Sequence, residues 1–323
     1  VTPSRIAALI GAALWAAPSF AELPQLSLPI DCTLGQTCFI EDYVDADPGP
    51  GQHDYTCGLK SRDGHRGTDI ALQSFEAMES GVAVLAAAPG RVAALRDGMA
   101  DIAVTDATRD SIRGRECGNA VRLDHGDGWQ TLYCHMKNGS LTVREGQSVA
   151  AGDTLGLVGL SGLTNNPHIH LTVLKDGEII DPFRPDTRQC GAGTGNGLWK
   201  TAPAYTPTGL FTAGFSTAVP TLDDVQTGAA RVTQSTPDQA LVLYGHVFHA
   251  EPNDTLTLSA TGPGGEVFIR TVTLIAPQPQ LFRAYGRRSP DGGWPAGQYR
   301  GYVTLKRGDT LIAARHADIT VGQ

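Results

Sequence analysis

The chain has 323 residues, six cysteines and a formal net charge of −8. A length of this order suggests two domains and supports a sizeable core. The acidic balance argues against nucleic acid as a partner, because a phosphate-binding surface needs clustered Lys and Arg, and the sequence holds no run of roughly 18 apolar residues to form a membrane span.

Arg5 precedes an apolar run from Ile6 to Ala17, and Pro18-Ser19-Phe20-Ala21 ends in a small-x-Ala pattern. Residues 1–21 therefore read as a secretory signal peptide cleaved after Ala21. The remainder is expected to be exported, to a periplasmic, cell-envelope or extracellular location. Residues 22–59, rich in Pro, Gly, Asp and Cys, read as an irregular, disulfide-tied N-terminal segment. Cysteines in an exported chain imply disulfides. Cys117 and Cys134 flank a hairpin-like segment with Gly126 and Gly128 near its middle, which would set them opposite each other on paired strands. For Cys32, Cys38, Cys57 and Cys190 three pairings stay open. The absence of a C-x2-C pair argues against a zinc–thiolate site.

Over 60–190 short β-type runs alternate with glycines, among them Val82–Leu85, Gly90–Leu95, Ala120–Leu123, Gln130–Tyr133 and Ile169–Val173. The polar stretch from Asp97 to Glu116 reads as a loop inserted between two strands. Residues 191–225 open with a glycine-rich tract and carry Pro203, Pro207 and Pro220, so they read as a linker or a loosely packed crossover. Over 226–323 alternating runs return, such as Ala240–Tyr244, Val267–Val272 and Gly297–Leu305, and predict a small β-sandwich, immunoglobulin-like, without cysteine. The fold class is mainly β throughout.

Two tight groups of residues carry the chemistry. His65-Arg66-Gly67-Thr68-Asp69 and His168-Ile169-His170 together hold three imidazoles and a carboxylate. Residues i and i+2 of a strand share a face, so His168 and His170 would enter one cleft. A hydrolytic zinc site takes three protein ligands and keeps one position for water. The chain thus offers one group more than a ligand set needs, and the spare one is free for acid–base work.

Further motifs occur between and around these groups in a fixed order. They are Tyr133-Cys134-His135-Met136, Val143 to Val149, Gly156 to Gly162, and Asn166-Pro167 ahead of His168. With Gly64 to Ile70 and His168 to Leu171, the set over about 60–183 resembles the lysostaphin/LytM-type zinc metalloendopeptidases, which hydrolyse bacterial peptidoglycan. The resemblance implies an antiparallel β fold with a groove, and one zinc ion (Zn2+) per chain held by His65, Asp69 and His170. It also implies that His135 and His168 stay off the metal and handle protons or polarise the substrate; which of the two does which is left open. The substrate class it implies is peptidoglycan peptides. Glycines 156–162 would allow tight turns and close approach to substrate. The chain departs from the family pattern at Leu171-Thr172, where Phe-Glu is usual, at Asn165-Asn166, at Met136, and in the length of the 97–116 insertion.

Other histidines have plainer readings. His125 is expected in solvent beside a turn, His53 in a structural hydrogen bond, and His246, His249 and His316 as ordinary residues of the sandwich. Tyr133 reads as a hairpin aromatic. The competing function is a non-catalytic LytM-like regulator or binding protein of cell-wall enzymes, with the C-terminal domain as the surface for a cell-wall or regulatory protein partner. A carrier domain, suggested by the turn-like segment 143–153, would need a modified lysine on a hairpin after that segment, whereas Met136-Lys137 comes before it.

Overall fold

The computed structural model describes residues 25–72, 75–104, 108–191 and 195–322. The signal-peptide reading of 1–21 falls outside the described residues.

Ten strands build the first half: β1 (Cys38–Asp42), β2 (Thr68–Leu72), β3 (Ala83–Leu85), β4 (Gly90–Arg96), β5 (Asn119–Gly126), β6 (Trp129–Met136), β7 (Ser148–Val149), β8 (Thr154–Leu157), β9 (His168–Lys175) and β10 (Glu178–Ile180). The main sheet runs β1-β2-β9-β6-β5-β4-β7, with β10 on β9, and every pairing is antiparallel. The period of two decides its faces. Ile70, Leu72, Tyr133, Ile169, Leu171 and Val173 point into one apolar core, closed by the small β3-β8 sheet through Val84 and Leu155. Asp69, His168 and His170 alternate with them and point the other way.

Eight strands form the second half: β11 (Gly209–Ser216), β12 (Gln234–Ser235), β13 (Leu241–Ala250), β14 (Asp254–Gly262), β15 (Gly265–Thr273), β16 (Gln278–Arg287), β17 (Gly297–Arg307) and β18 (Thr310–Val321). They make a sheet β11-β13-β16 and a sheet β12-β18-β17-β14-β15. Phe215, Leu243, Val247, Leu258, Val303 and Leu305 fill the core they share. That cluster also takes in Phe39 of β1 and Ala71 of β2, which are register partners. The sandwich therefore packs, at the first sheet's edge, on the face that also carries Asp69, and the two halves meet through side chains rather than through a tether.

Two stretches are more ordered than their composition implies. Residues 191–225 were expected to be a linker, yet β11 lies inside them and α1, a one-turn helix at Leu222–Thr227, begins there. Trp199 is 1% exposed and bridges Leu26, and Tyr205 joins Tyr43, Tyr55 and Phe183 in one aromatic cluster. Glycine and proline set where the backbone turns, not whether the segments between turns are packed. The N-terminal segment likewise supplies β1, the edge strand of the main sheet. Its cysteines pair as Cys32–Cys38 and Cys57–Cys190, the second tying the lead-in to the end of the first half, and Cys117 pairs with Cys134 as expected. Among the described residues no helix is long and apolar enough to cross a membrane.

Candidate metal centre and groove

Strand register assembles the site. Asp69 of β2 lies directly opposite His170 of β9, and Ala71 opposite His168. Cys134 of β6 lies opposite His170 on the other side. Cross-strand neighbours on one face are in side-chain contact range, so two adjacent strands present Asp69, His168 and His170 to one groove. His65 arrives from the loop before β2. That loop must pass close over β9: a Cβ on Gly67 would lie 2.6 Å from the Leu171 carbonyl oxygen and 2.7 Å from His170 Nε2. Only glycine permits this approach.

The three implied ligands converge. His65 Nε2 is 3.0 Å from Asp69 Oδ2, His170 Nδ1 is 2.7 Å from Asp69 Oδ1, and the two imidazole nitrogens are 3.2 Å apart. Tetrahedral zinc with bonds of about 2.0–2.1 Å holds its ligand atoms roughly 3.3 Å apart, so a two-nitrogen, one-oxygen set at these spacings fits zinc. The remaining ring nitrogens agree. His65 Nδ1 donates to the Tyr43 carbonyl at 2.7 Å, which leaves the Nε2 lone pair facing the centre, and His170 Nε2 lies 3.0 Å from Thr172 Oγ1. Thr172, where the sequence pattern departs from Phe-Glu, thus orients the His170 ring.

His135 and His168 stand beside this set. Their rings are 4.6 Å apart, and His135 is 6.0 Å from the His170 ring. His135 Nδ1 donates to the Ser161 carbonyl at 2.8 Å, and His168 Nδ1 to the Asn166 carbonyl at 3.0 Å. A carbonyl can only accept, so each ring carries its proton on Nδ1 and offers Nε2 as a base. His168 Nε2 is buried without a hydrogen-bond partner among the described residues, 3.7 Å from Asp69 Oδ2. A buried nitrogen left bare next to three ligand atoms is what a site built for a further group looks like.

Burial drives the electrostatics. It pushes the His168 imidazole down to about 4, and, joined by the nearby His168 and His170, holds His135 well below the usual histidine range. His170 is also lowered by burial. All three rings are therefore neutral at pH 7, the form that binds metal or accepts a proton. Burial alone would raise the Asp69 carboxyl, but His65, His168, Arg62 and His170 around it hold it well below the carboxylate range, so it is ionised.

The backbone at His135 is unusual. Its φ is 62°, in the left-handed region, which costs a non-glycine residue about 1–2 kcal/mol. Its N–H donates to the Cys117 carbonyl at 2.8 Å, its carbonyl accepts from Gly159 at 3.0 Å, and the Cys117–Cys134 disulfide clamps the neighbouring residue. The turn re-aims the side chain at a strand end, so that His135 joins the groove.

A groove of about 760 Å³ runs past these residues, with Leu132, Leu163 and Arg109 among its walls. The 97–116 insertion, expected as a plain loop, contributes Val104, Arg109 and Glu116 to it. Asp101 anchors the insertion, accepting from Asn138 N at 2.9 Å and Leu160 N at 2.8 Å. The 156–162 glycines serve the protein's own packing: a Cβ on Gly159 would meet Lys137 N at 2.3 Å, and one on Gly162 the Glu116 carbonyl at 2.2 Å. His125 is also not left to solvent, since its ring bonds Pro89 O at 2.7 Å and Thr131 Oγ1 at 2.8 Å. Tyr133 is wholly buried, its hydroxyl accepting from Ala87 N at 2.8 Å.

Sequence reading missed several residues. Arg62 pairs with the Asp69 carboxylate and lies 3.5 Å from Asp42. Asn166 Nδ2 donates to Glu41 Oε2 at 2.8 Å, and Glu41 pairs with Arg315 of β18. The sandwich thereby reaches the residue whose carbonyl fixes the His168 tautomer. The only signal for this was the unusual Asn165-Asn166 ahead of Pro167.

Comparison with known proteins gives the same picture. The model described as Peptidase family M23 matches residues 63–182. The Peptidoglycan DD-endopeptidase ShyA of Vibrio cholerae is 31% identical over 67 residues, 21% of this chain and 15% of that protein. The Murein hydrolase activator NlpD of Escherichia coli is 29% identical over 124 residues, 38% of this chain and 26% of that protein. The chain spans between 11% and 26% of the length of the curated relatives it matches. A crystal structure of a peptidase M23 from Pseudomonas aeruginosa aligns with 52% of this chain and 51% of its own at 26% identity, with a TM-score of 0.31, too low to carry weight. Residues 63–182, which hold the three converging ligand-type side chains and both neighbouring imidazoles, belong to peptidase family M23.

Proposed function

We propose that this chain is an exported zinc endopeptidase that hydrolyses peptide cross-links of bacterial peptidoglycan. The observation that carries the reading is the convergence of His65, Asp69 and His170 to within 3.2 Å of one another beside two neutral imidazoles. Three disulfides among the described residues support an oxidising, extracytoplasmic location.

His65 Nε2, Asp69 and His170 Nδ1 would hold the zinc. When bound, zinc supplies a Lewis acid that acidifies water and polarises a carbonyl. The chain's own residues do the rest. The groove positions an extended peptide across the β9 face. His168 Nε2, unprotonated and aimed at the centre, accepts the proton of the attacking water and passes it to the leaving amine. His135 Nε2, across a 4.6 Å ring separation, is placed to act on the substrate's carbonyl side or to share the proton. The Ser161 and Asn166 carbonyls keep both rings in the right tautomer during turnover.

A regulator without catalysis is the competing reading, since a murein hydrolase activator is among the relatives. It does not require a filled ligand set, and here every position is filled. Purified protein incubated with peptidoglycan should release peptide-linked fragments, identified by mass spectrometry. Chelation should stop release and zinc should restore it. Intact peptidoglycan in the presence of stoichiometrically bound zinc would favour the regulator.

A further inference from the structure

A second cavity, about 290 Å³, lies between the first sheet and the sandwich, away from the metal centre. Arg62, Asn165 and Asn166 line both it and the groove, so the two spaces share a wall. β1 gives it Glu41 and Asp42, and the sandwich gives it Arg231 and Arg315.

Its charge is the reverse of the chain's. The protein carries a net charge of −8, yet four cationic side chains, Lys60, Arg62, Arg231 and Arg315, stand in this wall against two carboxylates, Glu41 and Asp42. The carboxylates are already engaged, Glu41 by Arg315 and Asp42 by Arg62. Lys60 is 4% exposed. Among the described residues its ammonium has no hydrogen-bond acceptor and no ion-pair partner, only the face of Tyr43 at 5.9 Å. The same holds for the guanidinium of Arg231, which stands exposed at the rim. A buried ammonium with no carboxylate in direct contact is costly unless an anion arrives to pair with it. Burial draws Lys60 down to about 8, against the upward pull of Asp42 and Asp54, so it stays mostly protonated at pH 7.

Resting on the reading of the groove as a peptide-cleaving site, we infer that this cavity is a subsite for a carboxylate group of the peptide substrate, received by Lys60 and Arg231 while the scissile bond lies at the metal centre. Its volume suits one or two amino-acid units, at the small end of ligand pockets. Because Arg62 and Asn165-Asn166 line both spaces, a peptide segment held in the groove is the occupant placed beside this cavity. The sandwich, which supplies Arg231, is then part of substrate selection.

The test uses the zinc-loaded full chain and two synthetic cross-linked peptides of wall type, one with free α-carboxylates and one with those groups as carboxamides. Equilibrium binding by calorimetry and turnover are measured on both. The acid should bind at least about tenfold tighter than the amide, the size expected for a charge-assisted pair. That gap should close in Lys60→Met and narrow in Arg231→Gln, a rim substitution that leaves the buried lysine in place. Equal binding of acid and amide by the wild-type chain, or an unchanged gap in a folded Arg231→Gln and Lys60→Met pair, would overturn the subsite. Carboxylate-dependent binding without turnover would keep the subsite and sink the endopeptidase; turnover without carboxylate preference would do the reverse.

Discussion

The groove-bearing half hides Glu41, Asp42, Asp45, Asp54, Lys60, Asp69 and Asp181 together with His65, His135 and His168, whereas the sandwich hides one acidic residue, Asp254, and one histidine, His246, among the buried carboxylates, lysines and histidines described. Asp254 is matched by Arg307 at 2.8 and 3.0 Å, a paired and conventional arrangement. Several groups of the first half line cavities, and burial moves the pKa values of Asp42, Lys60, His135, His168 and Asp181. Buried charge costs stability, and where it is gathered around a cleft it marks the part of a protein shaped by chemistry rather than by packing. The sandwich core is an apolar cluster whose role is to hold a shape and to cover Phe39 and Ala71.

That contrast can be broken most directly with one residue type. His170→Ala should abolish zinc binding and lower peptidoglycan cleavage by about 10⁴-fold or more. His246→Ala in the sandwich should leave zinc content unchanged, although the wild-type ring is the more buried of the two. Metal analysis with fragment release checks both, and full cleavage by a zinc-free His170→Ala protein would remove the metal centre from the mechanism. Next in size, His168→Ala and His135→Ala should each lower kcat by about 10²–10⁴-fold with zinc retained. Loss of zinc in either would make that ring a ligand instead.

The boundary between the halves should be sensitive too. Arg315→Met leaves Glu41 buried without its cation and should cost about 3–5 kcal/mol in unfolding free energy. Pairing it with Glu41→Gln should recover most of that, because the amide still accepts from Asn166. A double variant no better than the single one would show that the ion pair is not what joins sandwich to sheet. The smallest effect concerns Asp181, whose carboxyl burial lifts to about 7. In the unfolded chain it titrates near 4, so the folded state holds the proton more tightly. Its favourable contribution is complete below about pH 4 and is lost as pH rises through 7. Asp181→Asn cannot ionise, and its advantage over wild type should grow between pH 4 and 7 to about 2–4 kcal/mol and then level off. Denaturant unfolding across that range checks it, and an advantage independent of pH would contradict the buried-acid account.

Much of the first half was legible because its signals are local. Alternation around Ile70, Ile169 and Leu171 gives the strand faces, and the i, i+2 spacing of His168 and His170 survives folding unchanged. Cys117 and Cys134 could be paired because one hairpin joins them. What escaped depends on contacts made across long separations. Nothing near Glu41 in the chain announces Arg315, and nothing near Lys60 announces a cavity whose far wall comes from the sandwich. The linker reading failed for another reason: prolines and glycines between 191 and 225 drew attention from Trp199, Tyr205, Leu210 and Phe215, whose packing is decided by partners far along the chain. Arg62 was overlooked because an exposed-looking arginine beside a motif carries no spacing rule.

The left-handed backbone at His135 has a consequence for anyone who tries to toughen this protein. Glycine or asparagine would sit there with less strain, so a selection that rewards heat resistance alone favours replacing that imidazole. A survivor of such a screen would melt later and cut nothing. Libraries built on this scaffold therefore need a lysis readout beside the melting curve, with codon 135 held constant.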